Sequence, residues 1–189
     1  MEQTPEYYDD RWTNTIKQMP IGGDYRFDQR KGGYKIIADY IGQNKRVFDY
    51  ACGLGVMLQM LKWENECDVA GCDFSEVAIN YVHKNVNGDF RTGGGFWGTW
   101  DYVIACQFIE HIKEPVKWIN EALEHAPAVI CSIPNNFSRH GDHIDMQWGN
   151  WDEFNELFKD FEVERIDEGL YTSTAKAWQH PTFVFRSKK

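Results

Sequence analysis

No apolar run in this chain approaches the roughly 20 residues needed to span a bilayer, so the sequence offers no transmembrane helix. The first residues, Met1-Glu2-Gln3-Thr4-Pro5-Glu6, are acidic and lack the apolar core of a secretory signal. Positive charge is scarce: the formal net charge is −9. An acidic surface repels phosphate backbones, which disfavours long nucleic acid as a partner unless a local basic patch overrides it. The nearest thing to such a patch is Arg26, Arg30, Lys31 and Lys35, for which a solvated helix face is the preferred reading. The five cysteines (Cys52, Cys67, Cys72, Cys106, Cys131) are odd in number and contain no Cys-x-x-Cys pair. Four of them lie in or beside apolar runs, as small buried hydrophobes in a reducing compartment do. The six histidines do not pair with them at zinc-finger spacing, so no metal site is expected. Repeats, linkers and low-complexity tracts are absent too. From these absences a cytoplasmic location is expected.

What is present fits one folded domain over residues 1–189, with a core built from the 42% of residues that are hydrophobic and the 15% that are aromatic. Residues 5–18 read as a helix with Tyr7, Tyr8, Trp12 and Ile16 as its apolar positions, stopped by Pro20-Ile21-Gly22-Gly23. A second helix is expected over 24–42, with Tyr34, Ile36, Ile37 and Tyr40 packing inward. Strands are expected at 46–50, 68–72, 90–92, 102–106, 128–133, 161–166 and 182–186. Helices at 54–64, 76–85, 115–125 and 151–160 alternate with them. Ser75 is the expected N-cap for the helix at 76–85, and Pro115 opens the next, with Val116, Ile119 and Leu123 as its inward stripe. Strands alternating with helices, then a closing pair of strands, define a doubly wound, mostly parallel seven-stranded α/β sheet with an antiparallel C-terminal strand.

One stretch organises the rest: Arg46-Val47-Phe48-Asp49-Tyr50-Ala51-Cys52-Gly53-Leu54-Gly55-Val56-Met57-Leu58. It reads as a buried strand, a glycine turn and the start of a helix, the place where open α/β sheets bind ligands. A second apolar run, Val69-Ala70-Gly71-Cys72-Asp73-Phe74-Ser75, ends in an acid about 20 residues past the glycines, within reach of a ribose hydroxyl. A nicotinamide-dinucleotide fold uses similar parts, but its Gly-x-Gly-x-x-Gly pattern needs glycine at position 58, and Leu58 stands there.

The segments Asp49-Tyr50-Ala51-Cys52-Gly53-Leu54-Gly55, then Asp73, then Asp101-Tyr102-Val103-Ile104-Ala105-Cys106-Gln107-Phe108-Ile109-Glu110-His111 resemble, in order, the class I S-adenosylmethionine-dependent methyltransferases, in the branch with small-molecule acceptors. The resemblance runs from about Val47 to Asn136 and more loosely to the C-terminus. It implies S-adenosyl-L-methionine as cofactor. The turn (Asp49, Ala51, Cys52, Gly53, Gly55) would meet the cofactor's amino-acid end, with Asp49 orienting it through its ammonium or a water. Asp73 would accept the ribose hydroxyls, since a carboxylate carries two acceptor oxygens. Gln107 would lie by the methionine part. The alternative for Asp49 is a carboxylate favoured by the following helix dipole. Ala51 stands where the family has its first glycine, and Cys52 contributes through its backbone. The family's acid after the third strand has no counterpart over 92–95, and Asp89 comes early; Phe74 or Phe90 is left to sandwich the adenine.

In the family, segments like residues 1–43 form a lid over the pocket, for which Tyr8 and Arg11 are the expected contacts; a plain packing layer is the alternative. On the acceptor side, His111 at the mouth of the sheet is the candidate general base, because imidazole titrates near neutrality, with Glu110 beside it. His140 and His143, on a long polar loop at 135–150, are alternative bases or substrate contacts. Trp97, Trp100, Trp148, Trp151, Tyr171 and Trp178 could line an acceptor pocket or serve as ordinary core. Base-amino methylation is disfavoured by Cys106-Gln107-Phe108-Ile109 where such enzymes carry Asn/Asp-Pro-Pro-Tyr/Phe. Cytosine-carbon methylation is disfavoured because no Pro-Cys pair occurs. The expected activity is methyl transfer to oxygen or nitrogen of a small molecule. The alternatives are a cofactor-binding protein without transferase activity and an enzyme using the cofactor for elimination or cyclisation.

Overall fold

A computed structural model describes residues 4–18, 31–134, 146–167 and 180–188. The chain divides into two compact units, residues 2–95 and residues 96–189. In chain order the elements are α1 (Pro5–Gln18), α2 (Lys31–Ile41), β1 (Arg46–Tyr50), α3 (Val56–Glu64), β2 (Asp68–Asp73), α4 (Glu76–Asn85), β3 (Asp89–Thr92), β4 (Tyr102–Cys106), a 3-10 turn (Ile109–His111), α5 (Pro115–Leu123), β5 (Val129–Ser132), α6 (Trp151–Leu157), β6 (Phe161–Arg165) and β7 (Thr182–Ser187). The strands form a seven-stranded sheet in the order β3-β2-β1-β4-β5-β7-β6. This is the doubly wound, mostly parallel layout expected from the sequence.

In the first unit β1 pairs with β2 and β2 with β3, all parallel. Both faces of these strands are covered, so Val47, Phe48, Val69, Ala70 and Cys72 are buried without alternation. Close approach of β1 and β2 requires Gly71, where a Cβ would lie 2.5 Å from the Asp49 carbonyl oxygen. Helix α2 buries Tyr34, Ile37, Ala38 and Ile41, whereas the expected inward residues Ile36 and Tyr40 are only partly covered. The carbonyls at its end are satisfied by Asn65, whose Nδ2 donates to the carbonyls of Ala38 (2.9 Å) and Gly42 (3.0 Å). Of the expected second helix, residues 24–30 lie outside those described.

In the second unit β4 and β5 pair in parallel, and β5–β7 and β7–β6 in antiparallel. Helix α5 begins at Pro115 as expected, but its buried residues are Pro115, Trp118, Ile119 and Ala122. Its inward stripe is therefore rotated from the Val116-Ile119-Leu123 reading, because Trp118 offers more apolar area than either flanking aliphatic and rolls the helix toward itself. Helix α6 and strands β6 and β7 enclose an aromatic core: Trp148 meets Phe154 edge-on at 5.4 Å, and Phe154 lies 4.8 Å from both Phe158 and Phe183. Trp148 is fully buried there. That removes it from the residues that could line an acceptor pocket. Tyr171 and Trp178 lie outside the described residues. Among the described residues, no helix is long and apolar enough to cross a membrane.

Candidate functional site

The glycine turn of the first unit owes its shape to three left-handed residues at alternate positions, Ala51 (φ +57°), Gly53 (φ +52°) and Gly55 (φ +69°). Gly53 and Gly55 meet this demand freely, whereas Ala51 meets it with a Cβ crowded against its own carbonyl. This explains why glycine would suit position 51. Main-chain bonds close the turn: Cys52 N–H donates to the Cys72 carbonyl (3.0 Å) and Gly55 N–H to the Cys52 carbonyl (2.9 Å). Cys52 thus contributes its backbone. Gly55 also lets α3 approach α4, since a Cβ there would lie 2.9 Å from Val82 Cγ2.

Asp73, at the end of β2, ties this turn to α4. Its Oδ2 accepts from Gly53 N–H (2.8 Å) and its Oδ1 from Ser75 N–H (2.9 Å). Each oxygen of a carboxylate has a second lone pair, so both keep an acceptor site. Ser75 is the N-cap of α4, accepting from Ala78 N–H (3.1 Å) as the sequence suggests. Its hydroxyl also donates to Asp9 of α1, and Asp9 Oδ1 accepts from Val77 N–H (3.2 Å). Three residues on, Trp12 lies against the turn: a Cβ on Gly53 would fall 2.9 Å from Trp12 Cζ2. Asp9 thus joins α1 to α4, and Trp12 joins it to the turn. Tyr8 pairs edge-on with Tyr7 at 5.2 Å, and the Arg11 guanidinium lies over the Trp12 ring at 5.7 Å.

The electrostatics of the turn are those of buried acid. Asp49 is 2% exposed, and desolvation, then the neighbouring Asp73 carboxylate, hold its carboxyl well above the usual range. Burial also raises Asp73, although the N–H groups of Ser75 and Gly53 pull it back. Desolvation pushes the Cys52 thiol up and the Cys72 thiol to about 12, so neither is a thiolate nucleophile. A cationic ligand group at Asp49 would relieve the acid pair. The N-cap of α3 is Gly55, which has no side chain to bond the first turn. Phe74 is 48% exposed and borders Gly94, where a Cβ would lie 3.4 Å from its ring. Phe90 is core, edge-on to His83 at 5.6 Å. Of the two phenylalanines, only Phe74 offers a face to a ligand.

In the second unit Gln107, just past β4, is also left-handed (φ +58°). Its N–H donates to the Ser132 carbonyl (2.9 Å), while its Nε2 is buried with no hydrogen-bond partner among the described residues. A non-glycine residue held there carries backbone strain of about 1 kcal/mol. Glu110 is fully buried, neither of its carboxylate oxygens has a hydrogen-bond partner among the described residues, and desolvation raises its pKa to about 8. Its Oε1 lies 4.0 Å from His111 Nε2, beyond hydrogen-bond reach. The His111 N–H donates to the Phe108 carbonyl (2.9 Å) and its side chain keeps 17% exposure, so the ring is reachable. His140 and His143 lie outside the described residues. Among the described residues no cluster of His, Cys, Asp and Glu could hold a metal.

The fold, with its strand–turn–helix at Asp49–Gly55 and the acid closing β2, is that of the class I S-adenosylmethionine-dependent methyltransferases. A methyltransferase-domain family model matches residues 25–179, and the chain belongs to that family. S-adenosylmethionine is the cofactor which that membership implies. No curated protein matches the chain in sequence. Among solved structures it is similar to the plantazolicin methyltransferase BpumL in complex with SAH, at 12% identity and TM-score 0.65, covering 97% of this chain and 90% of that one. It is also similar to magnesium protoporphyrin IX methyltransferase (ChlM) from Synechocystis PCC 6803 with bound SAM, at 17% identity and TM-score 0.64, covering 97% and 95%. A Haloferax volcanii protein solved in complex with the Trm112 methyltransferase activator matches at 14% identity and TM-score 0.68, covering 100% and 99%.

Proposed function

We propose that this chain transfers the methyl group of S-adenosylmethionine to oxygen or nitrogen of a small-molecule acceptor. The observation that carries this reading is Asp73. Its carboxylate is fixed by two main-chain N–H groups beside a left-handed turn and still has an acceptor site on each oxygen. That is a pre-organised receptor for a vicinal diol. Asp49, buried behind the turn, supplies a carboxyl for the ammonium of the amino-acid end, and that cation would favour its ionised form against desolvation and Asp73. Phe74 gives the adenine a face in place of the missing acid. Gln107, with its unpaired Nε2, supplies a donor for the methionine part.

The cofactor, when bound, supplies an activated methyl group on sulfonium. The chain then has to hold the acceptor in line and take its proton. His111 takes that proton, since its side chain keeps 17% exposure. Glu110 Oε1 lies 4.0 Å from His111 Nε2, and desolvation favours the neutral form of that carboxyl. The unpaired cysteines among the described residues support a cytoplasmic, reducing setting.

Calorimetric titration with S-adenosylmethionine, S-adenosylhomocysteine and NAD tests the cofactor. Micromolar binding of the two sulfur ligands and none of NAD is expected; failure of both sulfur ligands overturns the reading. Asp73→Ala is expected to weaken S-adenosylhomocysteine binding severalfold or more, and unchanged affinity removes the diol assignment. With labelled cofactor and an extract as acceptor source, label should move to a small product. His111→Ala should lower that turnover by roughly a hundredfold while leaving cofactor affinity alone. Equal turnover removes His111 as the base.

A further inference from the structure

Helix α1 does more in this unit than cover it. Residue Asp9 reaches 66 residues along the chain to accept the Ser75 hydroxyl, and takes Val77 N–H as well, at the start of α4. That anchor sets the rotation of α1 and places Trp12, one helical turn later, on Gly53. Trp12 Nε1 is buried and has no hydrogen-bond partner among the described residues. An indole N–H can only donate, and a buried donor left unpaired is costly, so an acceptor brought beside it is favoured. The groups already at the turn are acidic: Asp49, Asp73 and Asp9. They suit the ammonium of an amino acid and repel its carboxylate, which needs a donor of its own.

We propose that Trp12 is the hydrogen-bond donor for the carboxylate of the cofactor's amino-acid end, and that Asp9 is the positioning residue that holds it there by latching α1 to α4. This rests on the cofactor reading above. The zwitterion is then divided between two elements, ammonium to Asp49 of β1 and carboxylate to Trp12 of α1. Cofactor affinity accordingly depends on α1 being docked, and bound cofactor in turn holds α1 down, as linkage requires.

The test compares two ligands on the full chain. S-adenosylhomocysteine has the amino-acid end; 5′-methylthioadenosine keeps the adenosine and sulfur and lacks it. Trp12→Phe keeps an aromatic ring on Gly53 and loses the N–H. It should weaken S-adenosylhomocysteine roughly tenfold, the worth of one hydrogen bond to a charged group, and leave methylthioadenosine unchanged. Equal losses for both ligands would make Trp12 packing only, and no loss or a gain would also overturn the donor role. Asp9→Ala should weaken S-adenosylhomocysteine and speed amide exchange across Pro5–Gln18. Asp9→Asn, whose carbonyl oxygen can still accept from Ser75 and Val77, should restore both. Unchanged exchange and affinity in Asp9→Ala overturn the latch. If the unaltered chain binds neither ligand, the cofactor reading fails by itself, while exchange in Asp9→Ala still decides the latch.

Discussion

Ala51 is held at φ +57° in the turn. A left-handed alanine is strained by about 1 kcal/mol. Replacing it by glycine removes that strain and adds roughly 0.5 kcal/mol of backbone entropy to the unfolded chain. Ala51→Gly should therefore stabilise the protein by about 0.5 kcal/mol, read as a higher urea midpoint at unchanged slope; a lower midpoint would show that the Cβ packs usefully. Residue identities alone marked Asp49, Gly53, Gly55 and Asp73, because each acts through a property it has in any context: a charge, or freedom at positive φ. They did not mark Asp9 or Trp12. An aspartate and a tryptophan on an amphipathic helix look like surface and core, and their partners Ser75 and Gly53 are fixed only when the chain folds back.

At the scale of elements, local chemistry placed most boundaries. Helix α1 spans Pro5–Gln18 and α4 spans Glu76–Asn85, where the apolar spacing and the Ser75 cap put them. Ser75 serves both helices, since its hydroxyl accepts from Ala78 N–H and donates to Asp9. Loss of an N-cap costs roughly 1 kcal/mol. Ser75→Ala should cost at least that, and should speed amide exchange in α1 as well as in the first turn of α4. Exchange confined to α4 would separate the cap from the α1 contact. The face of α5 was misread for a different reason. Periodicity finds a stripe but not its phase when a large aromatic such as Trp118 borders it, and the neighbours that bury Trp118, Phe96 and Phe108, are distant or irregular in sequence.

For the whole molecule, charge sets the pH response. Glu110 has a folded pKa of about 8 against an ordinary value of 4.5, and Asp49 and Asp73 are also raised. Between those values the native state keeps a proton that the unfolded chain has released. Stability from this source is present at low pH, is lost as pH rises through about 8, and stays flat above. Self-repulsion from a net charge of −9 acts in the same direction. The thermal midpoint should therefore be higher at about pH 6 than at about pH 8, with Glu110→Gln flattening the difference. An unchanged slope in that variant would mean that Glu110 is ionised in the native protein.

The order of apolar runs, glycine turn and acids was enough to determine the doubly wound sheet, the family and the turn where the cofactor is expected, because these depend on short-range spacing and on backbone freedom at single positions. Only the tertiary structure decided that Trp148 is core, that Phe74 is exposed and Phe90 buried, that Glu110 is buried without a hydrogen-bond partner among the described residues, and that α1 meets α4 through Asp9 and the turn through Trp12. Burial and desolvation are set by atoms from many parts of the chain at once, and no local pattern of residues records them.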